Sequence, residues 1–241
     1  MKQQIIENHP KYLWFLMLSY TVILVFCNWF AARIVHIGGF DIDSANFLFP
    51  LTYLLADMVT EVYGYKHARR AIWCGFLFNV ILIGFGQIIT QLPSPDFPNH
   101  NEAFDTILTA NIRIVLASAV SYLIAEPLNS YVMAKLKILS NGKYLASRIL
   151  LSTIAAGGLD SFIFSTLAFY GIIPGIKLLY FILTMWVVKI IIELMILPLS
   201  TTLTKKLKRL EGLDIYDRKT AFTIFSLNAQ YHDSENEFKG T

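Results

Sequence analysis

Residues 47–63 read FLFPLTYLLADMVTEVY, an apolar run of helical length with two acids, Asp57 and Glu61, inside it. Tyr53, Asp57 and Glu61 recur at i, i+4 and i+8, which sets a phenol and two carboxylates along one stripe of a helix. A charge near the middle of a bilayer costs about 2.5 to 3.5 kcal/mol on insertion scales, so such a stripe is expected to face a cavity, a partner or a ligand. Working outward, further apolar runs cover 12–35, 71–92, 112–134, 149–173 and 176–203. Each approaches the roughly 20 residues needed to cross a hydrocarbon core of about 30 Å.

Charged residues make up 15% of the 241-residue chain and mean hydropathy is +0.53, whereas an ordinary soluble domain is about 25% charged. The pattern predicts an all-α polytopic membrane bundle of six transmembrane helices over 1–204. A polar cytoplasmic tail follows over 205–241, with its last ten or so residues expected to be disordered. The first run is longer than a signal-peptide core and has no small residue placed for cleavage after Ala31 or Ala32, so it should be retained. Cys27 and Cys74 lie inside apolar runs without metal-ligand spacing and read as small core residues. No metal or cofactor set is apparent.

Net charge is +3, and its distribution carries the information. Lys2 and Lys11, then Lys66, Arg69 and Arg70, then Lys135, Lys137, Lys143 and Arg148, and finally Lys205, Lys206, Lys208 and Arg209 flank alternate connections. By the positive-inside rule both termini are cytoplasmic. These basic clusters report topology, and no nucleic-acid partner is expected. The loop 93–111 carries Pro93, Pro95 and Pro98 and is expected to run extended over the outer mouth. Six spans divide three plus three in opposite orientations. Asp57 and Asp160 then fall in the second helix of each half, and those helices end in Glu61-Val62-Tyr63-Gly64 and Ala168-Phe169-Tyr170-Gly171. This is the pattern of an inverted repeat with a site at the interface.

At about 1.5 Å per helical residue, Asp57, Glu126, Asp160 and Lys189 all lie near the midplane. In the last run Trp186, Lys189 and Glu193 share one stripe. Lys189 can pair with Glu193 at i,i+4, or the two can line a wet site beside an aromatic platform. Glu61 has a structural alternative, an ion pair with Arg69 or Arg70. Arg33 and Arg113 stand at helix ends and read as anchors. Asp160 lacks a local partner apart from Arg148, and a lone buried acid either protonates or meets a cation. Four acids against one base suit a cationic or donor-rich substrate, with proton exchange at one acid a further expectation. Candidate binding residues are therefore Tyr53, Asp57, Glu61, Glu126, Asp160, Trp186, Lys189 and Glu193.

Several strings together resemble the queuosine precursor transporter family, a vitamin-uptake-type group of small six-helix inner-membrane proteins. They are Phe49-Pro50-Leu51-Thr52, Asp57, Glu61-Val62-Tyr63-Gly64, Ala68-Arg69-Arg70, Arg148, Ser152-Thr153, Asp160, Phe164, Ala168-Phe169-Tyr170-Gly171, Lys189, Glu193, Pro198, Lys208-Arg209, Glu211-Gly212, Asp214 and Tyr216-Asp217. The resemblance implies import of 7-cyano-7-deazaguanine or 7-aminomethyl-7-deazaguanine, purine-like bases used in tRNA modification. A carboxylate would accept from the N1–H and 2-amino edge, Trp186 or a phenylalanine would stack on the base, and Lys189 would donate to the 6-oxo group. The chain departs from the family pattern at Arg33, Gly157, Glu126 and Asn129.

Two other classes meet specific objections in the sequence. An intramembrane aspartyl protease would need Gly-x-Gly-Asp, but the order here is Gly157-Gly158-Leu159-Asp160. A capture subunit like those of energy-coupling-factor vitamin importers would dock to an ATPase, since the chain has no P-loop. The small residues Ala155, Ala156 and Gly157 would serve a homodimer or internal packing equally.

Overall fold

A computed structural model describes residues 10–31, 33–226 and 228–238, with the side chains of 109–111 left aside. Helix α1 (Leu13–Phe30) leads into an antiparallel hairpin of β1 (Ile34–Ile37) and β2 (Phe40–Asp43), then a 3-10 turn over Ser44–Phe47. Helices α2 (Phe49–Tyr63), α3 (Tyr65–Ile89), α4 (Asn101–Leu139), α5 (Leu145–Phe169) and α6 (Gly175–Glu211) follow, and a second 3-10 turn covers Asp233–Glu235. The helices other than α2 are long and apolar enough to cross a membrane. Their outer faces expose Trp14, Phe15 and Leu18 on α1, Leu77, Phe78 and Phe85 on α3, and Tyr180, Val187 and Met195 on α6. So much contiguous apolar surface belongs in lipid, and the protein is a multi-pass helical membrane protein.

Helix α2 is different. Its 15 residues span about 22 Å, and every residue from Thr52 to Tyr63 is buried. It is enclosed by the bundle, with Leu54, Leu55, Met58, Val59 and Val62 packed against Leu16, Tyr20 and Leu24 of α1 and Ala68, Ala71 and Ile72 of α3. An enclosed helix can carry acids because none of its faces meets lipid.

Two boundaries and one burial differ from the sequence reading. The run 12–35 stops being helical at Phe30, because the chain reverses at Gly38 and Gly39, whose φ values of +59° and +87° suit a tight hairpin turn. This pairs Ile34 with Asp43 and Ile37 with Phe40. The expected extended loop 93–111 is helical from Asn101 onward, where α4 begins. Cys74 is exposed on the outer face of α3, whereas Cys27 is buried as expected.

Both termini of the bundle meet at one end. The backbone N–H groups of Lys11 and Tyr12 donate to the Glu211 carboxylate at 3.0 and 2.7 Å. The α2–α3 and α4–α5 connections lie at this end too, tied to the tail by Lys66, Arg69 and Lys137. Helix α6 runs unbroken across the 204/205 boundary drawn from composition. The tail, expected to be disordered at its end, is described through Phe238, and there it docks. Lys137 Nζ donates to the carbonyls of Glu61 and Ile215, both at 2.6 Å. Asp217 accepts from Tyr65 N–H at 2.9 Å and from the Tyr231 hydroxyl at 2.5 Å. Arg69 donates to the carbonyls of Thr223 and Asn228 at 2.6 and 2.7 Å.

Gly64 joins α2 to α3 with φ +86°, and the Tyr231 ring and Ile215 occupy the space a Cβ would need. Gly171 has φ +81° with nothing near that position. Gly64→Ala is expected to lower stability by roughly 2 to 5 kcal/mol, combining backbone strain and overpacking, and Gly171→Ala by about 1 kcal/mol from strain alone. Thermal unfolding of the two purified variants in detergent checks the difference; equal midpoints would contradict the packing of the tail on Gly64.

Candidate functional site

The buried stripe of α6 carries Met185, Lys189, Glu193, Ser200 and Thr204, one polar group every turn or two. The facing stripe of α5 carries Arg148, Ser152, Thr153, Gly157, Asp160 and Ser161. Lys189 forms a buried ion pair with one oxygen of Asp160, and Ser121 of α4 donates to the other. Lys189 therefore reaches across to α5 and does not pair along its own helix with Glu193. Its ammonium also sits 4.5 Å from the centroid of the Phe49 ring, a cation–π contact.

The pair forms the floor of a cavity toward the hairpin end. Asp43, Ala45, Asn46 and Phe49 line it from the hairpin and α2, with Cys27, Asn28 and Ala31 from α1. Ser118 and Phe164 close it from α4 and α5. The cavity measures about 30 Å³, room for about two waters, so this is a closed form. Asp43 and Asn46 were not singled out from sequence. Asp43 caps the 3-10 turn by accepting from Asn46 N–H at 3.1 Å, and Asn46 Nδ2 reaches Met185 Sδ at 2.7 Å. A signal was present: Asp43-Ser44-Ala45-Asn46 is a capping sequence just ahead of Pro50.

Beyond the Asp160–Lys189 pair, on the side of the basic end, the interior is rich in polar oxygens left without partners. Asp57 Oδ1 accepts from Asn129 Nδ2 at 2.8 Å. Asp57 Oδ2, Asn129 Oδ1 and both oxygens of Glu126 and of Glu193 are buried without a hydrogen-bond partner, as are the hydroxyls of Tyr53, Ser130, Thr153, Ser161, Ser200 and Thr204. Tyr20 and Tyr122, next to Glu126, commit their protons elsewhere, Tyr20 to Tyr122 and Tyr122 to the Ile72 carbonyl, both at 2.9 Å. The Tyr53 phenol lies within electrostatic range of Asp57, Glu126, Asp160 and Glu193. So many unpaired buried acceptors call for water, a proton or a ligand's donors.

Two of the sequence candidates are placed apart from this interior. Glu61 sits at its basic end, held by Arg148 through both oxygens and by Lys208 at 2.6 Å, with Lys137 3.9 Å away. Its partners come from α5, α6 and α4, and Arg69 turns instead to the tail. Trp186 packs over Gly158 between α5 and α6 and donates to the Ile154 carbonyl at 3.0 Å. Gly157 faces inward, where a Cβ would stand 3.9 Å from the Tyr53 hydroxyl and 4.0 Å from the Lys189 side chain. The missing side chain leaves space beside the lysine. Ala156 and Gly157 are buried within the chain, and Ala155 is exposed. Arg113 donates to the carbonyls of Leu167 and Tyr170 at 2.9 and 2.6 Å, closing the C-terminus of α5 where a cation is favoured.

Residues 43–203 match the family model described as "Putative vitamin uptake transporter". The chain belongs to that family. It is a transporter and not an enzyme. It is 27% identical over 177 residues to a Bacillus subtilis (strain 168) protein named "Probable queuosine precursor transporter", covering 72% of this chain and 76% of that one. No solved structure matches the chain. The matched region of this vitamin uptake family member runs from Asp43 to Leu203, so it contains Asp57, Glu126, Asp160, Lys189 and Glu193 but not the α1 wall of the cavity.

Asp43 lies in the hairpin, where burial outweighs the nearby Lys189 ammonium and pushes its carboxyl up to about 6. The raised value means that the folded protein holds this proton more tightly than the unfolded chain. Stability from this group is present below about pH 4 and lost as pH rises through about 6, of the order of 3 kcal/mol. Asp43→Asn, which keeps the cap acceptor, is expected to remove this component. The change in unfolding midpoint between pH 4 and pH 7 should then be more favourable in the variant than in the parent. Identical pH profiles would show that Asp43 is solvated in the membrane-embedded protein.

Proposed function

We propose that the protein imports a queuosine precursor, 7-cyano-7-deazaguanine or 7-aminomethyl-7-deazaguanine, across the cytoplasmic membrane, with both termini inside and the hairpin outside. The observation that carries this reading is the cavity whose floor is the Asp160–Lys189 pair and whose walls include Asp43, Asn46, Phe49 and Phe164. A deazaguanine is planar, presents N1–H and a 2-amino group on one edge, and carries a 6-oxo acceptor beside them. One carboxylate can take the two donors in a bidentate, charge-assisted arrangement. An ammonium next to that carboxylate meets the oxygen, and aromatic faces stack on the ring. Asp160 and Lys189 have this adjacency, and Phe49 and Phe164 stand at the same cavity.

The cavity is too small for the base as it stands. Binding therefore exchanges the Asp160–Lys189 contact for contacts to substrate, and the hairpin and α2 move apart from α5 to make room. The bond lost and the bonds gained are of the same kind, which keeps the exchange close to balance. Asp57 and Glu193 stand deeper and are not assigned to the base. Acidic Asp43 at the mouth suits the aminomethyl form, which is cationic. Gly64 and Gly171, at the ends of α2 and α5 with φ near +80° in both, support the reading of the two helices as counterparts in an inverted repeat.

The test is rescue of queuosine-modified tRNA in bacteria that cannot make the precursor and lack their own transporter, with each base supplied in the medium. The parent chain should restore modification. Asp160→Asn and Lys189→Met, at equal membrane levels, should reduce the initial rate by more than about tenfold, since losing one buried charge-assisted partner is worth at least about 1.4 kcal/mol. Rescue by both variants at the parental rate would remove the pair from the site. Failure of the parent with either base would reject this substrate class.

A further inference from the structure

The interior of unpartnered polar oxygens divides by depth. Asp57 lies eight residues beyond Phe49 along α2, about 12 Å past the cavity, and Glu193 lies one turn beyond Lys189 along α6, about 6 Å past it. Neither lines the cavity. Helix α2, which carries Asp57, packs directly against α6, which carries Glu193. Between them Asp57 Oδ2, both Glu193 oxygens and Asn129 Oδ1 face no donor, and all three residues are at most 1% exposed. On the far side, toward the basic end, the unpaired hydroxyls of Ser130, Thr153, Ser200 and Thr204 continue inward. Ser200 and Thr204 lie 7 and 11 residues past Glu193 on one stripe of α6, about 10 and 16 Å along it. The Glu61–Arg148–Lys208 cluster closes that end.

We infer that Asp57 and Glu193 form a proton site separate from the substrate cavity, connected to the basic end by the hydroxyls of Ser130, Thr153, Ser200 and Thr204. A buried carboxyl group that meets neither a cation nor enough donors is satisfied at least cost by a proton of its own. Hydroxyls both donate and accept, so a hydrated file of them conducts a proton where a file of acceptors would not. The charged or titratable groups around the pair are Tyr53 and Glu61 on α2, Glu126 on α4, Asp160 on α5 and Lys189 on α6. On the α1 and α3 side the packing against α2 is apolar apart from Tyr20. Lys189 is engaged by Asp160 in the closed form, which leaves Asp57 and Glu193 without a counter-ion. In each cycle one proton enters with the base from the hairpin side and leaves to the basic end, so uptake of a neutral base moves one positive charge inward.

This inference rests on the substrate reading above, and the experiment separates the two. Purified protein in liposomes is assayed with radiolabelled 7-cyano-7-deazaguanine in two modes, counterflow exchange without a gradient and net accumulation under an imposed gradient. The parent should exchange, and should accumulate up to about tenfold per unit of inward pH gradient at one proton per base. Asp57→Asn and Glu193→Gln should exchange within about twofold of the parent and accumulate nothing. Accumulation by both variants overturns the proposal. So does joint loss of exchange and accumulation in variants that remain folded, because the acids would then belong to the substrate site. Should a variant fail to fold, the parent decides: accumulation that follows a sodium gradient at uniform pH, or neither gradient, also overturns it. A parent that does not exchange the base removes the substrate reading, and this inference with it.

Discussion

The interior holds carboxylate oxygens that no protein donor meets, and this constraint governs the rest of the architecture. Glu61 is fully engaged by Arg148 and Lys208, and Asp160 by Lys189 and Ser121. Asp57 has one oxygen served by Asn129, while Glu126 and Glu193 have none served. A buried acid cannot be left to hydrocarbon, so the helix with two of them has to be enclosed. Helix α2 is accordingly short, wrapped on every side and framed by positive-φ Gly64 at one end and the hairpin at the other. Stability alone does not explain such an interior, since apolar residues of similar volume would serve as well or better.

Much of the fold was legible because bilayer thickness sets a length that hydropathy reports directly. Each apolar run holds a helix, five of them long and apolar enough to cross a membrane, and the basic connections fall at the same end. What escaped was local. Ile34-Val35-His36-Ile37 is as apolar as the end of a span, so hydropathy joined it to α1. Only the Gly38-Gly39 pair marked the turn that makes it a strand. The first turns of α4 are polar enough to read as loop beside three prolines. The tail reads as polar, with disorder expected only in its last ten or so residues, and nothing in its composition points to its anchors Asp214, Asp217 and Tyr231, whose partners lie 77 to 165 residues away in the chain.

The buried charged residues of the interior were legible in the sequence as a list and illegible as a set of pairings. Spacing on one helix made Lys189 and Glu193 natural partners, but an i,i+4 pair is worth only a few tenths of a kcal/mol when exposed, and a cross-helix partner in a dry interior outweighs it. Which acid of four would be that partner depends on helix rotation, which no spacing rule encodes. For Glu61 the reading weighed neighbours in sequence, Arg69 and Arg70, whereas its cations come from α5 and α6. Asp43 and Asn46 escaped because a polar loop residue carries no burial signal until the loop folds back over the bundle.

The two ends of the interior are held unequally. At the basic end, Arg148, Lys208 and Lys137 converge on Glu61 and Asp214, and the tail adds Asp217 and Tyr231 beneath them. At the hairpin end the closure is one ion pair, one serine and a two-stranded hairpin, a motif marginal by itself. A crevice of about 490 Å³ separates that hairpin from the α5–α6 turn at Pro174 and Lys177. Parting the basic end breaks several buried charge contacts at once, each worth a few kcal/mol when one partner is stranded, whereas parting the hairpin end breaks one pair that a ligand with donor and acceptor edges can replace. The energetic asymmetry therefore makes the hairpin end the easier of the two to part.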